Sequence, residues 1–163
     1  MRLKVGDQVS LFNNTSGEWK SEIVDIKNNF LIAKTISQVS PPQAETSIDL
    51  MFSPIKYQNS ESVIRQSTEM GIRSIFPTIF KRTINTKINL TKFNAYAIGA
   101  AQQSERLSIP NIHDLNDLKN QSKIISSKTI LMFDENLKGI HLSQAKIKSN
   151  SEILVVIGPE GGF

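Results

Sequence analysis

The residues Ile157-Gly158-Pro159-Glu160-Gly161-Gly162-Phe163 follow the run SEILVV (151–156), and the reading of this stretch decides the fold. Apolar and β-branched residues followed by Gly-Pro read as a buried strand that ends in a turn. A strand so continuously apolar suits the middle of a parallel sheet, covered on both faces. The glycines have two readings. They let backbone approach a ligand and present N–H donors to it, or they make a plain strand-to-helix turn. The turn has neither the Lys-Ser/Thr of a P-loop nor the GxGxxG of a dinucleotide fold.

Working outward, residues 47–157 alternate strands with helices. Ile48, Leu50 and Phe52 alternate in a strand ended by Pro54. Asn59 or Ser60 is the expected cap of a helix with Val63, Ile64 and Met70 on its apolar side, and Gly71 is its stop signal. IRSIFP (72–77) is the next strand. Thr91 is the expected cap of a longer helix that puts Phe93, Ala97, Ala100, Ala101 and Ser104 on one face. A helix-like DLNDLKNQ (114–121), the strand TILMF (129–133) and a short helix LSQAKIK (142–148) precede the last strand. This alternation predicts an α/β unit with a mostly parallel sheet.

The first 40 residues read differently. Val5, Val9 and Leu11 alternate with polar residues, NNTSGE supplies a turn, and WKSEIVDI and FLIAKTI form a hairpin across Lys27-Asn28-Asn29. This is a small all-β unit, short of strands for a closed barrel. Pro41-Pro42 fits neither a ladder nor a helix interior and marks a linker. The expected domains are 1–45 and 46–163.

Composition narrows the chemistry. With no cysteine, thiolate metal sites, disulfides and cysteine nucleophiles are out of reach. The only histidines, His113 and His141, are distant in sequence, so no metal site is expected. No Ser/His/Asp triad, paired catalytic carboxylates or HExxH pattern is present. No apolar run approaches the roughly 18–20 residues of a membrane span. The start, MRLKVGDQVS, lacks the apolar segment of a signal peptide, which makes a cytoplasmic location the expectation.

The net charge is +4, but residues 54–106 alone carry eight Lys/Arg against Glu61, Glu69 and Glu105. A basic middle segment, with Lys56 at its start, suits a polyanionic partner such as nucleic acid, or is a solvated surface. On the long helix, Gly99, Gln103 and Arg106 share a face, and Gln102 lies one turn before Arg106. This amide-and-guanidinium face could bind phosphate or a base edge, or face solvent. Arg82, after IRSIFP, adds to the same basic region. Ligands of open α/β sheets sit beyond the carboxyl ends of the strands. That rule singles out Asp134-Glu135-Asn136 and Gly158 to Gly162.

Several segments together resemble one family. RLKVGDQVSLFN (2–13), QSTEMGIRSIFP (66–77), KRT (81–83), AAQQSERLSIP (100–110) and IGPEGGF (157–163) are similar, in order, to segments of the RsmE family. These are bacterial 16S ribosomal RNA uridine-N3 methyltransferases of the SPOUT class. The resemblance spans essentially the whole chain and implies an α/β methyltransferase domain with a deep trefoil knot, preceded by a PUA-like all-β RNA-binding barrel. It implies S-adenosylmethionine as cofactor, 16S rRNA within the small ribosomal subunit as partner, and a homodimer. By the same resemblance Leu131, Phe133 and Glu135 line one side of the cofactor pocket. Ile157, Gly158, Pro159, Glu160, Gly161 and Gly162 line the other. Arg82, Gln103, Arg106 and Lys56 would face RNA. The implied chemistry is in-line attack of uridine N3 on the sulfonium methyl group, with no residue singled out as base and Arg106 the one catalytic candidate.

Departures from the family pattern accompany the match. Arg65-Gln66 stands where the family shows Gln-Lys, and Gln102-Gln103 where it shows Glu-Gln. Family members also begin before and continue beyond the matched segments. The barrel is therefore expected to lack its first strand and the methyltransferase domain its C-terminal knot segment. The alternative reading is an inactive RNA-binding remnant of the same family. A small-ligand enzyme using the glycine turn is a third.

Overall fold

The computed structural model describes residues 3–28, 30–55, 57–133 and 139–162, with backbone alone at 57 and 58. The chain divides into two compact units, residues 1–45 and 46–163.

The first unit is a three-stranded antiparallel sheet in the order β1 (Gln8–Asn13), β2 (Gly17–Lys27), β3 (Phe30–Ser40). Asn13 organises the first turn: its side-chain oxygen accepts from the backbone of Thr15 at 3.0 Å and of Ser16 at 2.6 Å. Gly17 has φ +77°, and a Cβ there would lie 2.1 Å from the Ser40 carbonyl oxygen. Only glycine lets the start of β2 pass the end of β3 that closely. Ser21 and Ile23 are fully buried. Val5, expected within the first strand, precedes it and is exposed. Among the described residues the sheet is open.

The second unit holds a parallel sheet in the order β6 (Asn111–Ile112), β5 (Ser74–Ile79), β4 (Ile48–Phe52), β9 (Ile153–Ile157), β8 (Thr129–Met132); β7 (Asn116–Asp117) pairs with the end of β5. Side chains alternate between two faces, as the pleat requires. Leu50, Phe52, Ile75 and Ile112 pack with Ile64 of helix α1 (Tyr57–Glu69) and with Phe93 and Ala97 of helix α2 (Leu90–Gln103). Met51, Phe76, Leu154 and Val156 face the other way, toward Ile124 and Ile125 of the short helix α3 (Ser122–Ser126). The last strand is thus central, as its apolar run implies.

Both long helices end in the same way. Gly71, at φ +80°, lets Ile72 N donate to the Ser67 carbonyl. After α2, Glu105, at φ 55°, lets Arg106 N donate to the Ala101 carbonyl. Each is a left-handed stop whose bonds satisfy carbonyls the helix leaves open.

Several element expectations shift. Helix α1 begins at Tyr57, ahead of Asn59 and Ser60, and Met70 is exposed rather than packed. The cap of α2 is Asn89, whose side chain accepts from Lys92 N at 3.0 Å; starting there brings Leu90 and Ile88 against the core. Ser104 is exposed and bonds back to the Ala100 carbonyl. DLNDLKNQ is β7 followed by a 3-10 turn. Asn116 accepts from Asp117 N and from Asn120 at 3.0 and 2.9 Å, local bonds that compete with helix. LSQAKIK winds for one 3-10 turn only, because Ala145 is extended.

Candidate functional site

The strands of the second unit run in one direction, so the loops after β4, β5, β8 and β9 gather at one edge. Hydrogen bonds tie three of them together. Ser53 N donates to the Ile157 carbonyl at 3.1 Å, joining the β4 and β9 exits. The Ser53 and Thr83 hydroxyls lie 2.8 Å apart, and Thr83 also accepts from Phe80 N, which joins β4 to β5. Arg82 Nη1 donates to the Gly161 carbonyl at 2.5 Å, which joins β5 to β9. A Cβ at Gly161 would meet the Arg82 stem at 3.5 Å, so the arginine lies flat along the glycine. The turn itself is closed by Gly162 N donating to the Pro159 carbonyl at 2.9 Å, with Gly162 at φ +76°.

Two hollows flank these strands, and the turn lines the smaller of them. On the β8 side a cavity of about 770 Å³ is lined by Leu131, Phe133, Ile140, Leu142 and Ile147 among others. On the β4 and β5 side a smaller one, about 120 Å³, is lined by Ser53, Pro54, Ile55, Arg82, Ile84, Asn85, Pro159 and Glu160. Met132, Phe133 and Ile157 are about half exposed at this edge.

Leu131, Phe133, Ile157 and Gly158 to Gly162 stand at or near the carboxyl edge, but Leu131 and Phe133 line the larger hollow while Pro159, Glu160 and Arg82 line the smaller one. Glu135 and Lys56 lie outside the described residues. Gln103 and Arg106 are elsewhere: α2 leaves the carboxyl edge after β5 and returns the chain to the amino edge before β6. Arg106 and Arg82 thus do not share one region, in contrast to their expected grouping. Arg106 Nη1 donates to the Glu69 carbonyl at 3.2 Å, and its guanidinium fills the space over Gly71, where a Cβ would be 2.0 Å away. It caps the end of α1, where a cation opposes the helix dipole.

The amino edge holds a charge network that sequence reading missed. Arg73, just before β5, grips Asp49 with two bonds, at 3.0 and 2.9 Å, and reaches Glu152 at 2.9 Å. Lys128, just before β8, pairs with both Asp49 and Glu152. Asp49 is fully buried. Burial pushes its carboxyl pKa up, but bonds and charge from Arg73 and Lys128 outweigh that and hold it below the ordinary value. The Arg73 pKa is raised by hydrogen bonds from its guanidinium to Asp49 and Glu152. His113 stacks on Phe76 with ring centroids 4.2 Å apart. Burial lowers the His113 pKa more than Asp49 and Asp114 raise it. Sequence carries one signal for this network: a charged residue immediately precedes each of β5, β8 and β9.

Among the described residues no group of three metal-ligating side chains forms, and no helix is long and apolar enough to cross a membrane.

Comparison with known proteins fits this geometry. Residues 42–163 match the RNA methyltransferase domain family, and residues 1–36 match the RNA methyltransferase PUA domain. The chain is 31% identical to ribosomal RNA small subunit methyltransferase E of Rickettsia conorii over 166 residues, covering all of the chain and 67% of that protein. It is 22% identical to the Bacillus subtilis enzyme of the same name, covering 69% of it. A crystal structure of ribosomal RNA small subunit methyltransferase E from Neisseria gonorrhoeae bound to S-adenosyl methionine superposes with a TM-score of 0.79 at 20% identity, over 99% of this chain and 69% of that one. A Legionella pneumophila methyltransferase in complex with the same cofactor gives 0.77 at 23% identity, over 99% and 69%. The chain spans about two-thirds of the length of these relatives. A glycine turn at the carboxyl edge of a parallel sheet is thus carried by a chain that belongs to the RsmE family of ribosomal RNA small subunit methyltransferases.

Proposed function

We propose that the protein methylates N3 of a uridine in the 16S rRNA of the small ribosomal subunit, using S-adenosylmethionine. The reading includes a cytoplasmic homodimer whose methyltransferase unit closes a trefoil knot. The single observation that carries the chemistry is the Gly158–Gly162 turn at the end of central strand β9, whose neighbour β8 lines an apolar hollow with Leu131 and Phe133.

The residues fit the cofactor. Gly161 and Gly162 offer backbone without side chains, and the positive φ of Gly162 is open to glycine at little cost. Leu131 and Phe133 offer apolar surface for a heterocycle and a thioether chain. Bound there, S-adenosylmethionine supplies an electrophilic methyl group. The protein's own contribution is placement: Arg82, through the Gly161 carbonyl, fixes the turn against the β5 exit. The second unit presents Arg82 toward RNA at this edge, and the first unit supports the reading through its match to a PUA domain of RNA methyltransferases.

The test uses the intact gene product that carries this chain, methyl-labelled S-adenosylmethionine, and small subunits from cells lacking the modification. Digestion and mass spectrometry should find the label as 3-methyluridine in small-subunit rRNA. Label on another base or atom, in large-subunit RNA, or nowhere, would overturn the reading.

A further inference from the structure

Arg82 holds one end of the glycine turn, and the residue after it reaches the other end. We infer that Thr83 is a positioning residue for the cofactor's turn: its hydroxyl, through Ser53, anchors the start of the turn while Arg82 anchors Gly161. This inference rests on the methyltransferase reading above and adds the second anchor on which the shape of the turn depends.

The contacts close on themselves. Residues 80–83 make a tight turn after β5 that Thr83 closes twice. Its backbone N donates to the Phe80 carbonyl at 3.1 Å, and its hydroxyl accepts from Phe80 N at 2.8 Å. Phe80 is buried with Met51, Phe76, Leu154 and Val156, which ties this turn to the core of the sheet. The same Thr83 hydroxyl lies 2.8 Å from Ser53 Oγ. Ser53 is 3% exposed, and its N donates at 3.1 Å to the carbonyl of Ile157, from which the glycine turn departs. Arg82 completes the circuit on the Gly161 carbonyl at 2.5 Å. Two consecutive residues therefore grip the turn at two points.

The chemistry at 83 calls for a hydroxyl. It accepts from Phe80 N with one lone pair and still has a proton and a second lone pair for Ser53. Valine has the shape of threonine and can do neither; serine can do both. The position of Arg82 depends on it as well. Arg82 is exposed, and a side chain with so many rotamers holds one geometry with less loss of entropy when its backbone is already fixed. Thr83 fixes that backbone. The peptide unit between Gly161 and Gly162 is then set at both ends, its carbonyl on Arg82 and its N–H on the Pro159 carbonyl at 2.9 Å. Backbone preorganised in this way meets a cofactor without rearrangement, and a displacement of about 1 Å weakens what it does.

The experiment is a double-mutant cycle on the intact gene product, read by calorimetric titration of S-adenosylmethionine and by urea unfolding. Thr83→Val should weaken cofactor binding about five- to tenfold per folded molecule, and Thr83→Ser should keep it within about twofold of the unaltered protein. Ser53→Ala removes the hydroxyl pair from the other side and should match Thr83→Val, which keeps the test decisive where the valine variant folds poorly. In an Arg82→Ala background, Thr83→Val should add less than about twofold, because a turn that has lost one anchor is already displaced. A hydroxyl that only supports the fold would instead shift the urea midpoint and leave affinity per folded molecule unchanged, which would overturn the inference. A serine variant as weak as the valine one, or losses that simply add to that of Arg82→Ala, would overturn it too. Those results leave the methyltransferase reading intact if the unaltered protein forms 3-methyluridine, so the two fail separately. Absence of S-adenosylmethionine binding by the unaltered protein would overturn both.

Discussion

The two edges of the parallel sheet are built to opposite rules. At the amino edge, opposite charges close on one another: Asp49, Arg73, Lys128 and Glu152 pair among themselves, and Arg106 is spent on the end of α1. At the carboxyl edge the loops are joined by few, directional bonds, and large apolar side chains stay exposed beside glycine backbone. The same strands feed both. Charge that is mutually satisfied holds strands in register; surface that is left unsatisfied is available to a ligand. The basic middle of the sequence therefore has mixed uses, and its surplus of positive charge cannot be assigned to RNA as a whole.

The sharpest way to break this comparison is at the buried carboxylate. Asp49→Ala leaves Arg73 and Lys128 without their shared partner and should cost about 3–5 kcal/mol in urea unfolding. A loss within ~0.5 kcal/mol would mean that the amino edge is not a structural network. Arg82→Ala acts at the other edge. It should lower methyl transfer to rRNA by about 10–100-fold through a misplaced turn, with urea stability almost unchanged. Large destabilisation with intact transfer per folded molecule would reverse the assignment of the two arginines.

Smaller effects sharpen the same contrast. Gly71→Ala places a Cβ in the left-handed region and displaces the Arg106 cap, and should cost about 1–3 kcal/mol in thermal unfolding. Gly6→Ala, at φ +90° with open space around it, should cost less. The smallest expected effect is on pH dependence. A lowered folded-state imidazole pKa means that the unfolded chain binds more protons, so stability falls as pH drops below the ordinary histidine value of 6.5 and levels off below the folded value. Asp49 has the same sign in a lower window, losing its contribution only as pH falls from 3.8 through its depressed folded value. Denaturation curves at several pH values should show both stages, and His113→Gln should remove the first alone.

How much of this was legible in the sequence follows from distance along the chain. The four longer strands of the parallel sheet were legible because each carries its own apolar run, and the glycine turn because its residues are consecutive; Asn111–Ile112 and Asn116–Asp117, two residues each and mostly polar, were not. The Asp49 network was not, since its partners stand 24 and 79 residues away. Nor was the cap made by Arg106, which depends on the missing side chain of Gly71 and on a helix 37 residues upstream. Asn116 and Asn89 misled for a local reason: short polar side chains compete with the backbone for the same hydrogen bonds, and one pattern serves turn, cap or 3-10 helix. The small cavity was invisible because it is assembled from three exits far apart in the chain.

The most direct measurement of the division between the two edges is hydrogen–deuterium exchange of the intact gene product with and without S-adenosylmethionine. Protection is predicted in the 129–133 and 157–162 segments, with no change at 67–73 and 101–113. Protection confined to 67–73 and 101–113, leaving the glycine turn as it was, would contradict the placement of the site.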